Sequence, residues 1–195
     1  MFFWGPNGHD GIWHLALDAA AFKQFPFIVP IFEGATLSGY NFLLDICIFL
    51  LSKLGIPPVV SYFKLLPLIW FPLFTWMVFM LTKKLKKSSL YTGIFLFLAY
   101  FGGSFSYIFT LWHKKSIWGS SSVLSMQAGQ TLTNPQFALS LICILAILYV
   151  TVDEILTARK SMLLGLLLFL MLGLKFYGGF IALFIVGLFS YGGIL

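Results

Sequence analysis

An all-α, polytopic transmembrane helical bundle, with amphipathic interfacial helices in its first extracytoplasmic loop, is the fold class this sequence predicts. Three observations lead there. The 195 residues are 60% hydrophobic and 9% charged, whereas soluble domains hold roughly 45–50% apolar and about 25% charged residues. Apolar runs long enough to cross a bilayer recur from about residue 59 onward. The basic residues behind the net charge of +6 gather at the ends of those runs, which is not the footprint of a nucleic-acid-binding module.

Residues 1–58 read as an extracytoplasmic loop. Pro26, Pro30, Gly34, Gly39 and Pro57-Pro58 break it into two helices, about Gly11–Phe25 and Tyr40–Leu54. Both are short for spans and carry polar residues, so they are expected to lie in the interface. Four of the six acidic residues fall here (Asp10, Asp18, Glu33 and Asp45), with two of the three histidines, His9 and His14.

Residues 59–195 read as the transmembrane domain. The first span is expected at about 59–81, containing Pro67 and Pro72 and stopped by Thr82-Lys83-Lys84-Leu85-Lys86-Lys87. A second runs over 90–112 to His113-Lys114-Lys115, and a third over 136–152 to Asp153-Glu154. After Arg159-Lys160 the apolar run is too long for one span. The Lys175-Phe176-Tyr177-Gly178-Gly179 stretch is expected to turn it into a hairpin with arms 162–174 and 180–194. The dense lysine cluster at 83–87 predicts a cytoplasmic end, and counting spans puts Arg159 and Lys160 with it. The same count sends residues 1–58, the loop from Lys114 to Pro135, and Lys175 to the opposite face, with Lys114 and Lys115 against the rule. Cys47 and Cys143 lie in apolar runs, which predicts small packed hydrophobes rather than a disulfide or zinc site.

Residues four apart share a helix face, so Asp10, His14 and Asp18 form one polar stripe, with Ile12, Leu15, Ala16, Ala19 and Phe22 opposite. The plain expectation is that the stripe faces water. A carboxylate beside an imidazole could also hold a hard divalent ion together with a phosphate, and Asp10 and His14 are the candidates for such a metal. Asn41 and Asp45 are likewise four apart, beside Tyr40; a cap from Ser38 or Asn41 and a surface carboxylate explain them equally well. Lys175 is expensive in an otherwise uncharged run, which marks either a functional site or a snorkelling end. The amides and hydroxyls from Gln127 to Asn134 suit a sugar's hydroxyl network, or a cap for the next helix.

These residues resemble a known pattern. Gly8-His9-Asp10-Gly11-Ile12-Trp13-His14-Leu15-Ala16 is similar to the start of the first extracytoplasmic loop in GT-C superfamily glycosyltransferases, polytopic membrane enzymes that include protein O-mannosyltransferases, aminoarabinose lipid A transferases and oligosaccharyltransferases. An uncharacterised bacterial branch also carries motifs similar to Tyr40-Asn41-Phe42-Leu43-Leu44-Asp45, to Gln130-Thr131-Leu132-Thr133-Asn134-Pro135 and to Lys175-Phe176-Tyr177-Gly178. The four occur in the same order and cover most of the chain. The superfamily has a helix before this loop and several more after the point where this chain stops, so the resemblance implies a fragment of a longer protein with missing flanking helices. At position 41 this chain has Asn where the branch tends to have His.

The resemblance implies sugar transfer from a polyprenyl-phosphate donor to an acceptor at the extracytoplasmic face of a multi-pass protein, set in a bacterial inner membrane. Asp10 takes the general base's place, with His14 orienting it or touching phosphate. Lys175 would supply charge to the donor phosphate. His9, Tyr40, Asn41, Asp45, Gln130, Asn134 and Tyr177 would bind sugar or acceptor. The rival reading is a non-enzymatic transporter or flippase component, with Asp10 and Lys175 lining a path.

Overall fold

The computed structural model describes residues 10–32, 34–102, 106–116, 134–152 and 157–192. Among them the protein is all-helical, apart from one isolated antiparallel bridge between Ile28 and Thr36. Helix α1 covers Asp10–Ala20 and continues as a 3-10 turn, Ala21–Lys23. Helix α2 covers Leu43–Lys53. Helix α3, Pro58–Lys84, is 27 residues long, the one described helix both long and apolar enough to cross a membrane. It contains a π-helical turn at Ser61–Leu65. Then follow α4 (Ser89–Phe101), α5 (Ser106–Lys114), α6 (Pro135–Thr151), α7 (Ala158–Leu174) and α8 (Phe176–Gly192).

Helix α6 is the hub. On one side Trp70, Phe74, Val78 and Leu81 of α3 pack against its Ala138, Ile142 and Leu145. The Trp70 indole, buried there, donates to the Ala138 carbonyl at 2.6 Å, the partner a buried Trp N–H needs. On the other side Ile147 and Val150 meet Leu164 and Met171 of α7 and Ala182 of α8. Leu44 and Ile48 of α2 close over Tyr62 and Leu174, and Leu17, Ala21 and Phe22 anchor α1.

Each end of α6 holds a long-range polar contact. Its first turn holds Gln136, bonded to the N-terminal segment. Near its last turn the Lys84 ammonium bonds the Tyr149 carbonyl and sits 4.1 Å over the Tyr149 ring. Seventeen residues of helix separate these ends by about 25 Å at 1.5 Å per residue.

Several expectations need correction. The single span over 90–112 is two helices, because the chain leaves α4 at Gly102 in an extended conformation (φ −64°, ψ 148°). A Cβ there would meet the Leu98 carbonyl oxygen at 2.1 Å, so only glycine fits. The five-residue hairpin turn shrinks to Lys175 alone, extended at φ −151° and ψ 105°. Gly178 and Gly179 are helical instead: a Cβ at Gly179 would lie 2.5 Å from Leu172 Cδ2, so the missing side chain lets α8 fold back onto α7. Cys47 is exposed rather than packed, whereas Cys143 packs against the core as expected. The polar stripe of α1 does not face water: His14 and Asp18 are each 3% exposed, while Ile12 and Ala19 point outward. Asp45 is not a surface carboxylate but fully buried. For the α1 stripe and Asp45, a partner element covers what periodicity alone would leave wet.

Candidate functional site

Gly11 determines how closely α1 approaches α3. A Cβ at this position would come 2.7 Å from Phe63 Cζ, so glycine is what the contact requires. One turn on, the His14 ring stacks on Tyr62, with centroids 5.5 Å apart and planes 27° from parallel. Tyr62 is fully buried and belongs to the π-helical turn, a local widening that recurs at functional sites because it re-aims side chains.

A hydrogen-bonded chain starts at this stack. His14 donates from Nδ1 to Asp45 Oδ1 at 2.7 Å, entirely out of solvent. The carboxylate's other oxygen, Oδ2, accepts from Gln136 Nε2 at 3.0 Å, and the same amide reaches the Asn41 carbonyl at 2.8 Å. Asn41 Oδ1 in turn accepts from the Phe176 backbone N–H at 3.1 Å. That N–H opens α8 and has no partner within the helix, as first-turn donors never do. The chain joins α1, the loop before α2, α2, α6 and the α7–α8 junction. With Nδ1 committed to Asp45, Nε2 is the His14 nitrogen left for chemistry.

Lys175 occupies the junction this chain holds. It is half-buried, and burial lowers its ammonium below the ordinary lysine range, while the carboxylates of Asp10 and Asp45 act in the opposite sense. Among the described residues these are the charges that reach it, so Asp10, Asp45 and the amine between α7 and α8 share one end of the bundle. The Lys175 Nζ lies 5.8 Å from the ring centroid of Tyr177, itself exposed. Tyr40 borders the same region, 6.2 Å from the His14 ring and edge-on to Trp13 at 5.9 Å. Burial pushes its phenol up to about 12.

Asp10, His14, Tyr40, Asn41, Asp45, Lys175 and Tyr177 are thus brought to one region. Asn134 caps α6, its Oδ1 accepting from Phe137 N at 3.0 Å. The expected caps of α2 are absent: Phe42 takes that position without a side-chain bond, and Asn41 is engaged with α8. His9 and Gln130 lie outside the described residues. Among the described residues, no group of three or more His, Cys, Asp or Glu side chains could hold a metal ion. Gln136, Tyr62 and Asp18 were not singled out as site residues by the sequence reading, although a lone amide at the head of an apolar run is a signal for the first. The chain matches no family model, no curated protein and no solved structure.

Proposed function

We propose that this protein is a polytopic membrane glycosyltransferase of the GT-C type, or a piece of one, which moves a sugar from a polyprenyl-phosphate donor to an acceptor hydroxyl at the extracytoplasmic face. The observation that carries the reading is the convergence of Asp10, the His14–Asp45 pair and Lys175 on one end of the bundle. A phosphate needs a cation, and an acceptor hydroxyl needs a base near it. In this reading the Asp10 carboxylate accepts the hydroxyl proton and Lys175 neutralises charge on the departing phosphate. His14 presents Nε2 to the same headgroup.

The membrane placement is supported by α3 and by three shorter apolar helices, Ser89–Phe101, Pro135–Thr151 and Phe176–Leu188. Bulky apolar side chains stand on the outside of the bundle, among them Phe97, Phe101, Phe169, Phe180 and Phe184, as lipid contact allows and water does not. Lys83, Lys84 and Lys160 fall at the end away from Lys175, which agrees with a cytoplasmic assignment for that end. A cleft of about 550 Å³, lined by Phe74, Phe95, Leu98, Phe137, Leu141 and Leu145, suits a prenyl tail. It reaches Phe137, one residue from Gln136.

Reconstituted protein given undecaprenyl-phosphate-hexose and washed membrane acceptor tests this. Transfer of labelled hexose, lost in Asp10→Asn at unchanged expression and topology, supports the reading; wild-type transfer by Asp10→Asn removes the assigned base. The buried polar groups on α1 and α3 favour the second reading, a transporter or flippase component. Donor translocation across the vesicle without sugar transfer would select it.

A further inference from the structure

The hydrogen-bonded chain leaves out one acidic residue in its midst. Asp18 lies one turn beyond His14 on the inward face of α1, 3% exposed, and neither carboxyl oxygen has a hydrogen-bond partner among the described residues. Two hydroxyls share this condition: Ser61 Oγ and Tyr62 OH, at the π-helical turn of α3, are buried without partners among the described residues. Tyr62 lies within electrostatic reach of Asp18, Asp45, Asp10 and Tyr40 together, so the orphaned carboxyl belongs to the same polar core as the His14–Asp45 pair.

An ionised carboxylate without hydrogen bonds or a counter-charge cannot persist at such a position, since burying it uncompensated costs many kcal/mol and the group takes a proton instead. Among the described residues no counter-charge acts on it. On its own helix the neighbours are His14, whose Nδ1 is spent on Asp45, and Asp10. The 3-10 turn offers Lys23, which is exposed to solvent. The α2 neighbour is the Asp45 carboxylate, a like charge, and the loop and α3 present Tyr40 and Tyr62. Lys175 acts on Asp10 and Asp45.

We propose that Asp18 is a buried proton-binding site, occupied at neutral pH, whose occupancy sets the net charge of the polar core. Burial, with Asp45 adding to it, raises the Asp18 carboxyl to about 8. On release the Oδ–H bond breaks, the electron pair stays on the oxygen and the proton passes to water. The core then carries one more negative charge next to Asp45, against any anionic ligand drawn by Lys175. This inference does not rest on the glycosyltransferase reading.

Infrared difference spectroscopy of the full chain in lipid nanodiscs, titrated with base, tests it. A protonated-carboxyl C=O band present at neutral pH, disappearing with a midpoint near 8 and missing from Asp18→Asn, supports the site. Absence of such a band from wild type at neutral pH overturns it, as does an undiminished band in Asp18→Asn. If Asp18→Asn does not fold, Asp18→Glu serves: a shifted band or midpoint supports the assignment, and an unmoved one overturns it.

Discussion

His14 and Asp45, thirty-one positions apart in the chain, meet at 2.7 Å in a setting that excludes solvent from both. Removing one member of a buried pair strands the other, which costs about 3–5 kcal/mol. Asp45→Ala is therefore expected to lower the unfolding temperature sharply in detergent, while His14→Ala/Asp45→Ala loses less than the two single losses added together. A strictly additive double-mutant cycle would mean the contact carries no coupling.

Gln136 satisfies two acceptors at once, Asp45 Oδ2 and the Asn41 carbonyl. Gln136→Leu keeps the volume and leaves both without that donor, at about 1–3 kcal/mol. Chemical denaturation should show that loss, and hydrogen exchange at the Phe176 amide should quicken as Asn41 loosens. An unchanged exchange rate would show that the α7–α8 junction holds itself.

Lys175→Ala is expected to raise the apparent KM for the polyprenyl-phosphate donor more than it lowers kcat, since the amine's task in the proposed reaction is to hold phosphate. Steady-state kinetics at varied donor concentration separates the two. An unmoved KM would leave the lysine as an anchor at the membrane surface.

The pH dependence of stability follows from Asp18. Its folded-state value is raised from 3.8 to about 8, so between those values the folded protein holds a proton that the unfolded chain has lost. Stability then falls as pH rises from about 4 to 8, by at most about 1.4 kcal/mol per pH unit for one proton, and the slope ends above 8. Asp18→Asn, uncharged throughout, should flatten this stretch of a thermal-unfolding profile. An identical slope in the variant would place its origin elsewhere.

At Gly179 a methyl group would come 2.5 Å from Leu172 Cδ2, so the leucine must shift to admit it. Gly179→Ala is expected to cost about 1–3 kcal/mol through overpacking, measurable as a lower denaturation midpoint. Gly165, with open space around its Cβ position, is the matched control and should tolerate alanine.

Much of this architecture was legible in the residues themselves. The helix from Pro58 to Lys84 is an apolar run closed by a lysine cluster, and Asn134-Pro135 announces the start of α6, because capping and charge act locally. The direction of the α1 stripe was not legible. Asp10, His14 and Asp18 make the same periodic pattern whether water or another helix lies opposite, and only the packing of α2 and α3 decides. Asn41 misled for a related reason: it has the chemistry of a cap, and the partner it chose lies 135 positions away. Gly102-Gly103 held a signal that the expected single span over 90–112 passed over, since a glycine pair inside an apolar run is where a helix can end.

The π-helical turn at Ser61–Leu65 holds one residue more than an ordinary turn would. That surplus works as a gear between the two ends of α3, turning Tyr62 toward the histidine without moving Trp70 out of its seat against α6. Deleting a single residue within the turn would remesh the gear, swinging everything upstream by about 100° while the lower half stayed docked. Insertion or deletion at this one spot would thus re-aim the Tyr62 and His14 stack while the Trp70 and Phe74 packing against α6 stayed untouched.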